Sequence, residues 1–214
     1  MTRLPVSPAP CRPALLLALA AALAGAPPAQ AASSPSEEAT PEASPARIHA
    51  VAGVLVTGTA GTSNATFKNP DGSTASGSLA GRYEGFAGAE FPVDPNGLTL
   101  RLTAGLHVGA TMTASNGASE RFTRIPLEAT LWYGLNDKLR LGGGLRYALR
   151  PRFSGPGGRT SDLLGSTPAF LAGVEYQLLP HLRLDGRYVY ERFEQYGGAD
   201  VDASHWGLGL TAIY

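Results

Sequence analysis

Residues 206–214 read Trp-Gly-Leu-Gly-Leu-Thr-Ala-Ile-Tyr, an alternating segment that predicts a β-strand. In an extended strand, successive side chains point to opposite faces of the sheet. One face of the segment carries Trp206, Leu208, Leu210, Ala212 and Tyr214, and the other carries Gly207, Gly209, Thr211 and Ile213. The first face is apolar, so an unpaired edge on this strand would invite aggregation. Closing a barrel against the first strand of the chain would remove that edge.

The same alternation recurs from residue 47 onward, and no window shows apolar residues at helical spacing. The clearest example is 98–112, where apolar residues take every second position. We predict eight strands, at about residues 47–59, 77–91, 98–112, 124–135, 139–150, 170–178, 182–191 and 206–214. The first strand is the least clear, because Val51, Val54 and Leu55 do not hold one phase. Long polar loops alternate with very short turns between the strands.

The N-terminus carries the pattern of a secretion signal. Arg3 and Arg12 precede an apolar run at 14–26, and Ala29-Gln30-Ala31 fits the small-x-small cleavage rule. The run is too short to span a membrane core of ~30 Å at ~1.5 Å per residue. We therefore predict a signal peptide at 1–31, a disordered acidic linker rich in Pro and Ser at 32–46, and one barrel domain at 47–214.

Charge and cysteine content limit the possible functions. The formal net charge is zero, which gives no reason to expect nucleic acid as a partner. Charged residues make up 16% of the chain, whereas about a quarter is usual for a soluble domain. The single cysteine, Cys11, lies within the predicted signal peptide, so the mature chain has neither disulfides nor thiol chemistry.

Alternation alone does not say which face meets solvent, and a soluble lipocalin-like barrel would turn its apolar face inward. The position of the aromatic residues favours a membrane barrel instead. Phe91, Tyr133, Tyr176 and Tyr214 fall near the short turns or the end of the chain, and Tyr147, Phe170, Tyr188, Tyr190 and Trp206 fall nearer the long loops. All lie on the apolar face. Two aromatic belts around an aliphatic band are typical of a bilayer with two interfaces.

The polar face then becomes the interior, where charges must be paired to avoid a desolvation cost of several kcal/mol per ion. We predict an interior network of ion pairs and hydrogen bonds formed by Arg82, Glu84, Arg101, Arg124, Glu128, Arg140, Arg146, Glu175, Arg183, Asp185, Arg187 and Glu191. Eight strands enclose only enough space for side chains. We therefore interpret the glycines between Arg140 and Arg146 as space for inward arginines.

The strand number, the alternation of loops and turns, the aromatic belts, the signal sequence and the terminal aromatic residue together resemble the small OmpA/OmpX-type outer-membrane barrels of Gram-negative bacteria. The resemblance implies an all-β fold, an eight-stranded antiparallel up-and-down transmembrane β-barrel, over residues 47–214. It also implies a monomer in the outer membrane, with outer-membrane lipids and lipopolysaccharide as partners. The last strand, with its terminal Tyr214, resembles the signal that the outer-membrane assembly machinery reads.

Some barrels of this size modify lipid A and need a histidine with a serine and an acid at a lipid-facing site. His107 is predicted to point inward, and Ser204 to point away from His205. We expect no enzyme and no cofactor. We also expect no metal site, because no two histidines share a local spacing. The expected role is structural, in membrane integrity or in binding through loops 61–76 and 151–167; a lipid A-modifying enzyme or a narrow channel is the alternative.

Overall fold

The computed structural model describes residues 47–60, 64–68, 74–95, 97–115, 117, 119–154, 160–161, 164–195 and 200–214. The predicted signal peptide and linker lie outside the described residues. The strands are β1 (His49–Thr59), β2 (Asn64–Lys68), β3 (Thr74–Ser78), β4 (Tyr83–Pro92), β5 (Leu98–Ala114), β6 (Ser119–Gly134), β7 (Leu139–Ser154), β8 (Thr160–Ser161), β9 (Leu164–Ser166), β10 (Ala169–Leu179), β11 (Leu182–Tyr190), β12 (Arg192–Gln195), β13 (Asp200–Asp202) and β14 (His205–Ile213). No helix in the described part of the chain is long and apolar enough to cross a membrane.

Eight of these strands close an antiparallel barrel in the order β1, β4, β5, β6, β7, β10, β11, β14 and back to β1. The closing seam joins the first and last strands, from the pair Val51 and Ile213 to the pair Thr59 and His205. The backbone N–H of Tyr214 extends the seam by donating to the Ala50 carbonyl at 2.9 Å. The predicted all-β fold, strand number and closure are confirmed.

The poorly phased first strand has apolar residues on both faces. Val51 and Leu55 are buried inside the barrel, whereas Val54 and Val56 are exposed on its outer surface. The inner face of β1 is thus an exception to the polar interior, which explains why its alternation is weak in the sequence.

The predicted second strand is interrupted between β3 and β4, and two predictions fail there. The chain bends at Gly81, whose φ of +87° lies in the left-handed region that favours glycine. A Cβ at this position would overlap the His107 ring. The alternation over 77–91 predicts that Leu79 shares the outer face with Tyr83, but the bend shifts the phase of the strand and Leu79 is buried at the loop end. Arg82 is exposed, with its guanidinium 5.7 Å from the centre of the Tyr83 ring, so its assignment to the interior network was wrong.

The connections opposite the short turns are more structured than the sequence predicts. Strands β5 to β7 continue beyond the predicted ends, and the predicted loops contain the short strands β2, β3, β8, β9 and β13. Strand β12 pairs with β9 and β13 in a separate three-stranded sheet. We call this side of the barrel the loop end and the opposite side the turn end. A cluster of Leu79, Phe122, Ala148, Phe193 and Ala203 is buried at the loop end.

Gly142 makes room for an aromatic ring and not for an arginine, contrary to the prediction. A Cβ on Gly142 would lie 2.5 Å from ring atoms of Trp132, which is 1% exposed and lies inside the barrel. The indole also approaches Gly173, where a Cβ would lie 3.0 Å from its Cη2 atom. Two glycines on neighbouring strands therefore accommodate the largest buried side chain.

We predict that Gly142→Ala lowers the free energy of unfolding by roughly 1–3 kcal/mol, because the added methyl group overpacks the site against a rigid ring. The measurement is urea unfolding of the barrel in phospholipid vesicles. The matched control is Gly143→Ala, where a Cβ meets only the Leu171 carbonyl oxygen at 3.6 Å. Equal losses in the two variants would contradict this account of Gly142.

Candidate functional site in the barrel interior

Charged residues inside the barrel form two groups. The group nearer the loops, which we call the loop-end cluster, contains Glu84, Arg124, Glu128, Arg146, Asp185, Arg187 and Glu191. Its centre is Arg146, whose Nη2 donates to Glu84 Oε2 at 2.8 Å and whose Nη1 donates to Glu128 Oε1 at 2.6 Å. Glu84 lies on β4 and Arg146 on β7, two strands that are not neighbours in the sheet. Their ion pair therefore crosses the lumen.

The remaining members of this cluster pair around that centre. Arg187 Nη1 lies 2.9 Å from Glu128 Oε2, and its Nη2 donates to Asp185. Arg124 Nη2 lies 2.9 Å from Glu191 Oε2. Every side chain of the loop-end cluster is buried, so each charge depends on its partners for the stabilisation that water would otherwise supply.

Arg124 links the loop-end cluster to the apolar residues above it. Its Nη1 donates to the Leu79 carbonyl at 2.7 Å, and its guanidinium lies 5.3 Å from the Phe122 ring and 5.6 Å from the Phe193 ring. The two rings meet edge to face at 5.7 Å. These residues cover the ion pairs on the side of the loops.

The second group, the turn-end cluster, contains Glu90, Arg101, Arg140, Glu175 and Arg183. Arg101 lies between both carboxylates, 2.7 Å from Glu90 and 2.5 Å from Glu175. Arg140 lies 2.8 Å from Glu90. Arg183 lies 3.3 Å from Glu90 and 3.4 Å from Glu175. Three guanidiniums thus share two carboxylates.

Aromatic rings pack against guanidiniums of both clusters. The guanidiniums of Arg101 and Arg140 lie 4.9 Å and 5.7 Å from the Trp132 ring, and that of Arg187 lies 4.9 Å from the Phe86 ring. Cations on aromatic faces gain stabilisation from the ring quadrupole, more so when desolvated. No ion pair within 4.0 Å joins the clusters in the ranges the structure describes.

Apart from Arg82, the structure brings the predicted interior residues into these two clusters. Sequence reasoning missed Glu90, Phe86 and Trp132, although the signal was present. Glu90 and Phe86 share the phase of Glu84 on β4, and Trp132 shares the phase of Glu128 on β6. The sequence contains no signal for the pairing across the lumen, because that pairing depends on which strands face each other once the barrel closes.

His107 and His205 come together inside the barrel, with ring centres 4.9 Å apart. Ser204, which precedes β14, is buried as well, and its Oγ accepts a hydrogen bond from the Glu191 backbone N–H at 3.3 Å. Ligand atoms of Glu84, His107 and His205 lie within 4.8 Å of one another, a proximity that the local spacing of histidines did not reveal. Arg146 Nη2 lies 2.9 Å from His107 Nδ1 and 2.8 Å from Glu84 Oε2. The Arg146 guanidinium therefore pairs with these two ligand atoms as part of the ionic network.

The outer surface is apolar. Leucine and valine side chains form its middle, and the predicted interface aromatics lie on the same face: Phe91, Tyr133, Tyr147, Phe170, Tyr176, Tyr188, Tyr190, Trp206 and Tyr214. Strand register places Tyr133 and Tyr176 beside the turn-end residues Leu98 and Leu139. It places Phe170 opposite Tyr190, nearer the loops. A charged interior and an apolar exterior would be the wrong way round for a soluble barrel.

The sequence matches the family model for the outer membrane protein β-barrel domain over residues 15–213. The chain belongs to that family. It is therefore an outer membrane β-barrel protein, and its apolar outer surface is the surface that faces lipid. No curated protein matches the sequence.

Solved structures with a similar fold include three outer-membrane proteins. Ail, the attachment invasion locus protein of Yersinia pestis, in complex with the heparin analogue sucrose octasulfate, is 16% identical, with a TM-score of 0.45, over 78% of this chain and 96% of that one. Neisserial surface protein A is 17% identical, with a TM-score of 0.46, over 78% and 95%. OprG from Pseudomonas aeruginosa is 13% identical, with a TM-score of 0.43, over 79% and 96%.

We predict that Arg146→Met destabilises the barrel by roughly 3–5 kcal/mol, because it leaves Glu84 and Glu128 buried without their shared partner. Urea unfolding in vesicles measures the loss. The exposed Arg121 on β6 supplies the control, since Arg121→Met should change stability by less than ~0.5 kcal/mol. The double variant Glu84→Gln with Arg146→Met should recover part of the loss, because it also removes a stranded charge. Similar small losses for both arginines would refute the role given to the loop-end cluster.

Proposed function

We propose that the chain is a monomeric outer-membrane barrel with a closed lumen, whose role is structural, in membrane integrity or in binding at the cell surface, without catalysis. The ion pairs that cross the lumen carry this proposal. Arg146 with Glu84, and Arg101 with Glu175, each join strands that are not neighbours in the sheet. An eight-stranded barrel has room for little more than its own side chains.

The chemistry of the interior supports a plugged lumen rather than a conducting channel. A conducting pore needs a continuous water path lined by groups that bind ions weakly. Here Trp132 and Phe86 lie across the middle, and Leu79, Phe122 and Phe193 are buried at the loop end. The charges near them are held by multiple short contacts and leave few groups free to solvate a passing ion.

The location of the two buried histidines supports a role other than lipid A modification. His107 and His205 are buried inside the barrel, where a lipid in the surrounding membrane does not reach. Their neighbours Glu84 and Arg146 belong to the ion-pair network. A lipid-modifying enzyme needs its acid–base groups at a lipid-facing opening.

In this proposal the short turns face the periplasm and the long connections face the cell exterior, as in other barrels of the outer membrane. The N-terminal segment 1–31 is removed as a signal peptide, and 32–46 is a periplasmic linker. The outward aromatics contact the two lipid interfaces, including lipopolysaccharide in the outer leaflet. The last strand directs the chain to the outer-membrane assembly machinery. The loops at 61–76 and 151–167 are the surfaces available to a ligand.

We predict little or no porin conductance when the purified barrel is inserted into planar lipid bilayers. The reason is that the lumen is filled by ion pairs and aromatic rings. A general porin measured under the same conditions serves as the positive control. The paired truncation Glu84→Ala with Arg146→Ala removes one cation and one anion together, so it should introduce small steps without changing net charge. Large, stable steps from the unmodified protein would contradict the proposal.

A further inference from the structure

A cavity of about 600 Å³ opens at the turn end of the barrel. Its lining includes four cationic side chains, Arg47, Lys138, Arg140 and Arg183. The acidic side chains that line it are Glu90 and Asp137, and Glu90 is already paired within the turn-end cluster. A pocket of this volume is in the range of small-molecule sites. The excess of cations indicates that its ligand is an anion.

The floor of the cavity has more positive charge than its carboxylates neutralise. Arg101 makes the closest contacts with both Glu90 and Glu175 and is buried beneath the cavity. Arg140 and Arg183 share the same two carboxylates, and their side chains are 12% and 14% exposed. Within the turn-end cluster three guanidiniums therefore share two carboxylates, whereas the loop-end cluster holds four carboxylates and three guanidiniums.

The carboxylate nearest to the turn-end cluster is Asp185, the register partner of Glu175 on the neighbouring strand, and it is engaged by Arg187. Its Oδ2 accepts from Arg187 Nη2 in the loop-end cluster, and Thr211 Oγ1 donates to the same oxygen at 3.4 Å. Because the guanidiniums at the turn end outnumber the carboxylates in contact with them, an anion that enters from the cavity would be stabilised there.

We propose that the turn-end cavity binds the phosphate group of a small phosphorylated molecule on Arg140 and Arg183. The two guanidiniums converge, since Arg140 Nη1 and Arg183 Nη1 lie 2.8 Å and 3.3 Å from the same oxygen, Glu90 Oε1. Planar guanidiniums bind phosphate oxygens through paired, charge-assisted hydrogen bonds. The ammonium of Lys138 and the guanidinium of Arg47, which also line the cavity, add favourable charge. The volume leaves room for more than the phosphate itself.

This site is separate from the closed lumen, so the two proposals can fail independently. Phosphate binding needs only the cavity and its arginines, whereas the absence of conductance depends on the residues deeper in the barrel. The phosphate group could belong to a soluble solute or to a phospholipid headgroup at the same end of the barrel. The experiment below distinguishes these sources.

The test is titration calorimetry of the full-length barrel, purified from outer membranes into a phosphate-free detergent, with inorganic phosphate and then with glycerol phosphate. Chloride keeps the ionic strength constant, so that a general salt effect is removed. We expect saturable binding that weakens by at least roughly tenfold in Arg183→Gln. Lys138→Gln, in an exposed turn outside the ion-pair network, should weaken it by about threefold without affecting folding.

The matched control is Arg192→Gln, which makes the same charge change on an exposed residue at the loop end and should leave binding unchanged. A second titration uses nanodiscs of phosphatidylglycerol. Weaker binding of inorganic phosphate there than in detergent would identify a lipid headgroup as the occupant, and unchanged binding would identify a soluble phosphate compound. The absence of saturable binding by the unmodified protein, or equal losses in Lys138→Gln and Arg192→Gln, would overturn the proposal.

Discussion

The structure depends on the compensation of charges that the barrel buries. Because the apolar face of each strand meets lipid, the polar face must line the lumen, which is too narrow for bulk water. Removing carboxylates and guanidiniums from water costs several kcal/mol per ion unless partners replace the solvent. Contacts such as Arg146 with Glu84 and Arg101 with Glu175 supply that replacement, and they join opposite walls of the barrel. These ion pairs form only when the barrel closes, so closure of the barrel also compensates the buried charges.

Volume is the second constraint on this interior. Arginines and a tryptophan fit in the lumen only where neighbouring positions are glycines, as Gly142 and Gly173 are beside the Trp132 ring. The ion pairs form two clusters with different compositions. The loop-end cluster is enclosed beneath apolar residues, whereas the turn-end cluster borders an open cavity. This asymmetry is the physical reason for proposing a closed lumen and a phosphate site in one small protein.

Much of this architecture was predictable from alternation alone. The polar-phase residues of β7 from Arg140 to Arg146 point inward because side chains change face at every step. The prediction failed for Leu79 and Arg82, where one left-handed glycine shifts the phase, a local event that no periodicity reports. The sequence could not predict the ion-pair partners either, because Glu84 and Arg146 are 62 positions apart and meet only through closure of the barrel. The same holds for the meeting of His107 with His205.

In this barrel the apolar face of the strands meets lipid and the charged face fills the interior. The two tryptophans of the chain report on these faces, since Trp206 is 47% exposed on the outer surface and Trp132 is buried inside. The direct measurement is fluorescence quenching by brominated phospholipids in vesicles, with Trp132→Phe retaining only Trp206 and Trp206→Phe retaining only Trp132. Bromine should quench most of the Trp206 emission and little of the Trp132 emission. Stronger quenching of Trp132 than of Trp206, or no quenching of either, would contradict the account.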